Sequence, residues 1–275
     1  MKKRKLPIIL LLLLAALVAL TLDSNTRIVV TQYTLSSEKL PESFDGFTVV
    51  QLSDIHGSEF GKENHRLIEK TAAAEPDIIA ITGDMVDEET DAAVIDSLLG
   101  RLVDIAPVYY VSGNHEWGAG RMDEVRELLD RHGVQCLSNE YELISRGDDS
   151  IVLAGVEDPN GPYDMIKPTE LVDIIEEDRG DGFRLLLGHR NYWVEKYPEL
   201  EVDIIMCGHA HGGIVRLPFT GGVLGAGFEF FPEHVDGAVD SGRYTMIVSR
   251  GLGNSIPVPR FLNNPEIVVL KLEKE

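Results

Sequence analysis

Five short segments carry aspartate, histidine and asparagine at spacings suited to metal chemistry. They are Ser53-Asp54-Ile55-His56, Gly83-Asp84-Met85-Val86-Asp87, Gly113-Asn114-His115-Glu116, Gly188-His189, and Gly208-His209-Ala210-His211-Gly212-Gly213. The set offers imidazoles, an amide oxygen and a carboxylate able to share its two oxygens between ions. It can hold two divalent cations, and a pair roughly 3.5–4 Å apart clamps a phosphate ester and generates hydroxide to attack it. Imidazole with carboxylate suits Mn, Zn or Fe. Singly, each segment has an ordinary reading. Asp-x-His after a strand is commonly a turn with a satisfied histidine, Gly83-Asp84 a turn with a helix cap, and Gly113-Asn114 a frequent turn dipeptide. The double histidine among three glycines is stronger, because no cap explains it. The five together, each behind an apolar run, carry the inference.

Those runs predict strands at residues 47–52, 77–81, Val108–Val111, 183–187 and 202–207. Helical periodicity marks residues 63–74, ended by Pro76, and Ala92–Leu102, with Val94, Leu98, Leu99 and Leu102 on one side. It also marks Met122–His132, with Gly133 as its C-terminal cap, and residues 169–177. Residues 141–144 and 151–156 read as strands around a turn at Gly147. Beyond Gly213 the helical signal stops, and residues 214–217, 244–249 and 266–272 read as strands. Residues 23 to 45 are polar and mixed, a tether or an approach strand. Ligand-type residues thus fall at the carboxyl ends of strands, where α/β folds place their sites. Helices dominate the first half and strands the second, with one chemistry spread over both. That pattern predicts a single α/β domain, a four-layer α/β/β/α sandwich of two mixed sheets flanked by helices.

The N-terminus differs. Lys2, Lys3, Arg4 and Lys5 precede an unbroken apolar run over residues 6–22. A helix of that length spans roughly 25 Å, a little short of the roughly 30 Å hydrocarbon core but longer than the ~7–15 residues of a signal core. Residues 1–26 are read as a membrane anchor, with removal as a signal peptide at the weak site near Ala19-Leu20-Thr21 as the alternative. The basic flank keeps the N-terminus in the cytoplasm. Residues 27–275, the catalytic domain, then lie outside the cell membrane, or are secreted if the segment is cleaved. The anchor is expected to give location rather than fold, so a chain starting at residue 27 is expected to fold and be active.

The 275 residues carry a net charge of −21, which repels nucleic-acid phosphates and excludes them as extended partners. Positive charge for a phosphate substrate must then be local, and bound metals supply it. Two cysteines make no disulfide framework; Cys207 reads as a small hydrophobe or, less simply, as a ligand. His65 and His132 read as structural, and His234 either borders the substrate or sits in a plain loop. Arg190, Arg216 and Arg250 are either forks for phosphate oxygens or salt-bridge partners of the many acids. Asp87 either orients a ligand or is an exposed acid in an acidic run. Residues 218–242 are expected to shape substrate choice.

The five segments, their order and their spacing resemble the calcineurin-like metallophosphoesterase superfamily. Its pattern of Asp-x-His, Gly-Asp-x-x-Asp, Gly-Asn-His-Asp/Glu, a lone His and Gly-His-x-His is complete here, over roughly residues 45–272. Val248-Ser249-Arg250-Gly251-Leu252-Gly253-Asn254 and the Gly-Gly after His211 look like the membrane-associated bacterial phosphodiesterase branch. The resemblance implies that Asp54, His56 and His211 hold one metal and that Asn114, His189 and His209 hold the other. Asp84 would bridge them together with a water or hydroxide. It further implies that His115 faces the ester from outside the metal shell and that Glu116 orients it. The implied activity is phosphodiester hydrolysis on lipid-linked or cell-envelope phosphates. A phosphomonoesterase or nucleotidase on the same site is the alternative, and a non-catalytic scaffold is a third reading, opposed by the complete ligand set with His115.

Overall fold

The computed structural model describes residues 5–275; Lys2, Lys3 and Arg4, which carry the expected orientation signal, lie outside the described residues. In chain order the first elements are α1 (Lys5–Thr26), β1 (Val29–Ser37), β2 (Thr48–Leu52), α2 (His65–Ala73), β3 (Ile78–Thr82), α3 (Ala92–Leu102) and β4 (Val108–Val111). Then come α4 (Asn114–Gly118), α5 (Met122–His132), β5 (Gln135–Cys136), β6 (Glu140–Arg146), β7 (Asp149–Gly155), α6 (Pro168–Arg179), β8 (Arg184–Leu187) and α7 (Trp193–Lys196). The rest are strands: β9 (Ile204–Cys207), β10 (Val215–Leu217), β11 (Gly221–Leu224), β12 (Gly237–Asp240), β13 (Thr245–Val248) and β14 (Glu266–Lys274).

Two six-stranded sheets, ordered β1-β14-β2-β3-β4-β5 and β12-β13-β9-β8-β7-β6, stack face to face, and β10 and β11 form a separate hairpin. Alternation along each strand decides what each face meets. On the inner faces Val49, Ile78, Ala80 and Tyr109 meet Leu153, Leu185, Ile204 and Met206 in one buried cluster. The outward residues Val50, Leu52, Ile79 and Ile81 pack under Leu67 of α2, Leu98 and Leu102 of α3, and Val125 and Leu129 of α5. On the other side Val152, Ala154, Leu186 and Ile205 pack under Leu171 and Ile175 of α6 and Trp193 of α7. The result is the expected four layers, with a core between each pair of layers. Each fully buried aliphatic side chain contributes roughly 1.5–3 kcal/mol.

The bounds of α3, β4 and α5 are those the sequence predicts, and Gly133 closes α5 in the left-handed conformation at φ 67°. On α3, however, Ile95 is fully buried where Val94 was expected, because the inward stripe runs through Ile95, Leu98, Leu99 and Leu102. The polar stretch after α1 holds a nine-residue strand, β1, whose Tyr33 and Leu35 reach the core between the sheets.

Helix α1 includes a segment, Leu6–Thr26, long and apolar enough to cross a membrane. Its last turn is joined to the domain. Ser24 is buried, Asn25 donates to the Arg260 carbonyl at 2.8 Å, and the Arg260 amide donates to Asn25 Oδ1 at 3.1 Å. A boundary at residue 26/27 therefore cuts through contacts. Strand β1 runs parallel to β14, and β14 runs antiparallel to β2. So β1 starts, and α1 arrives, at the end of the sheet where β2, β3 and β4 finish.

Candidate metal centre

The loops at that end bring the sequence-predicted residues together. Asp54 and His56 follow β2, Asp84 follows β3, and Asn114 opens α4 after β4, all from the first sheet. His189 follows β8, and His209 and His211 follow β9, from the second. One group comprises Asp54, His56, Asp84 and His211, another Asp84, His189 and His209; within each, potential ligand atoms lie within 4.8 Å of one another. Asp84 belongs to both. Its Oδ2 lies 3.1 Å from His189 Nε2 and 3.7 Å from His56 Nε2. Asn114 Oδ1 joins the second group, 3.1 Å from His189 Nε2, and His209 Nδ1 is 3.2 Å from that same nitrogen. His211 Nε2 is 3.5 Å from Asp54 Oδ1.

The backbone is bent hard to achieve this. Asp54, His56, Asp84, His209 and His211 all have φ between 47° and 69°, a region costly for non-glycine residues, at about 1–3 kcal/mol each. The adjoining glycines are needed for close approach. A Cβ on Gly113 would lie 2.2 Å from Asp84 Oδ1, and one on Gly208 2.0 Å from Ser53 Oγ.

Supporting bonds fix the rings and carboxylates. His189 Nδ1 donates to the Thr82 carbonyl at 2.9 Å, which turns Nε2 toward Asp84. Ser53 Oγ donates to Asp54 Oδ2 at 2.7 Å, and the His209 amide also donates to Asp54. Asn263 donates to the His211 carbonyl at 2.7 Å.

The donor set fits divalent cations. Among the described residues, both nitrogens of His56 are buried without a hydrogen-bond partner, a cost of about 1–3 kcal/mol for each such group, and a ligated Nε2 would remove its own share. Burial pushes His56 down to about 4 and His209 down to about 3, so both are neutral, the ligating form. Burial pushes Asp54 up to about 6, with the Asp84 charge adding to it. Burial would also raise Asp84, but His189, with His56 and His115, outweighs it and holds the carboxyl well below the usual range. Burial opposes a charged His189, yet the Asp84 charge and hydrogen bond hold it up to about 10. Buried carboxylates draw positive charge into the site, and a cation answers that demand.

His115 donates its backbone amide to Asp84 Oδ1 at 2.8 Å, and its half-buried ring meets His56 edge to face at 4.7 Å. Glu116, expected to orient that ring, is fully buried. Its buried carboxylate accepts amides from both ligand loops: Gly113 at 2.8 Å, Asp84 at 3.1 Å, Val86 at 3.2 Å, and Met85. Asp87 Oδ2 faces His56 Nδ1 at 3.9 Å, beyond hydrogen-bonding range, while Oδ1 accepts from Thr90 Oγ1 at 2.8 Å within its own turn.

The three arginines are all paired. Arg190 forks onto Asp158 with Nη1 3.1 Å from His209 Nε2, Arg216 bonds Asp236 at 2.9 Å, and Arg250 bonds Glu266 at 2.7 Å. His132 pairs with Asp96, His234 with Glu195, His65 is exposed, and Cys207 packs in the outer core. Sequence reasoning missed Arg260. It is fully buried, with Nη2 3.3 Å from His211 Nδ1 and Nε donating to the Gly253 carbonyl at 3.0 Å. A cavity opens over Asp84, Asn114, His115, His209 and His211, and Ala226, Gly227, Glu229 and Pro232 form part of its wall. Those four lie within the 218–242 stretch expected to shape substrate choice.

Comparison with known proteins agrees with this geometry. Residues 47–213 match the family model described as calcineurin-like phosphoesterase. An uncharacterized metallophosphoesterase, YkuE, of Bacillus subtilis is 30% identical over 250 residues, covering 88% of this chain and 85% of that protein. Phosphodiesterase YaeI of Escherichia coli is 26% identical over 238 residues, 82% of each. A Bos taurus transmembrane protein with metallophosphoesterase domain is 32% identical over 199 residues, 67% of this chain and 44% of that one.

Proposed function

Because the chain belongs to the calcineurin-like phosphoesterase family, we propose that it hydrolyses phosphate diesters at a dinuclear metal centre, on lipid-linked or cell-envelope substrates, while anchored by α1 with its catalytic domain outside the membrane. The observation that carries the reading is Asp84, a buried carboxylate common to both ligand groups. Asp54, His56 and His211 would hold one cation, Asn114, His189 and His209 the other, with Asp84 between them. When bound, such a pair supplies Lewis acidity toward the phosphoryl oxygens and a nucleophile at neutral pH.

The protein's own part is positioning and proton transfer. Thr82 and Ser53 fix the presentation of His189 and Asp54. Glu116 ties the loop of Asp84 to that of Asn114. His115 lines the cavity and would protonate the leaving alkoxide or stabilise the phosphoryl oxygens. The diester assignment is supported by the likeness to the E. coli phosphodiesterase, and the lipid or envelope assignment by α1.

The test is elemental analysis of the full chain, purified in detergent without chelator, followed by a panel of mono- and diesters. Two divalent cations per chain and faster diester hydrolysis are expected. One cation after reconstitution removes the dinuclear reading, and a monoester preference favours a phosphomonoesterase.

A further inference from the structure

The cavity wall continues into an exposed apolar surface. Phe219, Phe228, Phe230 and Phe231, on and just after the β10–β11 hairpin, are all exposed, Phe219 completely and Phe230 by 74%. Leu217 adds to them. Three of these phenylalanines, Phe219, Phe228 and Phe231, have φ between 55° and 72°, costly for a bulky side chain. An exposed aromatic cluster held out by strained backbone marks an interaction surface.

Its place in the fold identifies the occupant. The Arg216 amide donates to the Phe261 carbonyl at 2.9 Å, and the Phe261 amide donates to the Ile214 carbonyl at 3.1 Å. The adjacent Arg260 is bonded through its backbone to Asn25 in the last turn of α1. The base of the hairpin and the end of the apolar helix therefore grip two consecutive residues. Arg66 donates to the Thr26 carbonyl at 3.2 Å and, with Lys70 and an Arg27 already paired to Asp23, lines a recess at the end of α1.

We propose that this hairpin is a second membrane contact: its phenylalanines enter the lipid interface beside α1, so the metal-site cavity, walled by the same segment, opens at the bilayer surface. The inference rests on the anchoring role of α1 and deepens the proposed choice of lipid-linked substrates. Aromatic rings suit that interface. A soluble diester would need no such placement; an amphiphile would reach the site without leaving its leaflet.

The test reconstitutes the full chain into phosphatidylcholine liposomes whose acyl chains are brominated close to the headgroup. Phe219→Trp, Phe228→Trp, Phe230→Trp and Phe231→Trp are compared singly with Asp148→Trp, which lies in the β6–β7 turn at the opposite end of the sandwich. The added tryptophan is expected to lose most of its emission at two or more of the four positions and none at residue 148, relative to unbrominated lipid. Flotation with the liposomes reports the anchor separately and requires no catalysis. A chain that fails to float overturns both readings. A chain that floats with all four tryptophans unquenched overturns the hairpin contact alone; cross-linking between hairpins would then assign the surface to a second copy.

Discussion

Glu116→Gln exchanges one carboxylate oxygen for an NH2 group inside a ring of donors. Oε2 accepts from Gly113 and Asp84, and Oε1 accepts from Met85 and Val86. Whichever oxygen is replaced, two buried amides lose their acceptor, and the other two lose the charge that strengthens their bonds. An unpaired buried donor costs about 1–3 kcal/mol, so the two together cost roughly 2–6 kcal/mol. Against a typical total of about 5–15 kcal/mol, the variant still folds, with little to spare. At about 2–4 °C per kcal/mol for a domain near this size, the melting temperature falls by roughly 5–20 °C. The assay is thermal unfolding by circular dichroism in detergent, with metal content measured on the same sample. The loops of Asp84 and Asn114 come apart together, so metal retention weakens too. A variant that melts within about 2 °C of wild type, keeps its metal and loses only turnover would refute this clamp and restore the simpler idea that Glu116 orients His115.

Three further outcomes follow from the site and the anchor. Asp84→Asn is expected to lose more rate than any of the other six ligand variants, by roughly 10³-fold or about 4 kcal/mol; near-wild-type turnover removes the bridging role. A chain starting at residue 27 loses both Asn25–Arg260 bonds and is expected to be less stable, by roughly 1–3 kcal/mol, than one starting at residue 20; equal denaturation midpoints would show that the last turn of α1 adds nothing to the fold. His115→Ala is expected to keep both metals and to lose about 10²–10⁴-fold in rate on an alkyl diester, and less on a nitrophenyl diester, whose leaving group needs no proton. Equal losses on both substrates favour electrostatic stabilisation, and a lost metal makes His115 a ligand.

The residues legible in sequence were those that announce themselves locally. Asp54, His56, Asp84, Asn114, His189, His209 and His211 each follow an apolar strand through a turn, and the structure brings them close together. Helix α3 was legible from its periodicity, but a stripe includes both i and i+1 neighbours, and packing chose Ile95 over Val94. Strand β1 was legible only as one of two readings, tether or approach strand, because it is an edge strand with its alternate residues partly in solvent and a composition like a linker's. Arg260 gave no local signal at all. Its role depends on residues 25, 211 and 253 converging on it, which no window of sequence contains. The three arginines singled out for phosphate were in doubt for the opposite reason. In so acidic a chain each had a carboxylate within reach, and each took one.

The position of β14 bears on how the molecule is made. It follows the other described strands in the chain, yet it lies between β1 and β2 and is the strand that joins them. Synthesis proceeds from the N-terminus, so the first sheet stays divided until β14 emerges. A polypeptide interrupted before Glu266 would already possess α1 and every candidate ligand, His211 included. It would still lack the strand that secures β1 to the rest of the sheet, and with it the Glu266 carboxylate that accepts from Arg250. Without β14, therefore, β1 has no partner through which to join the sheet that carries the loops of Asp54, Asp84 and Asn114.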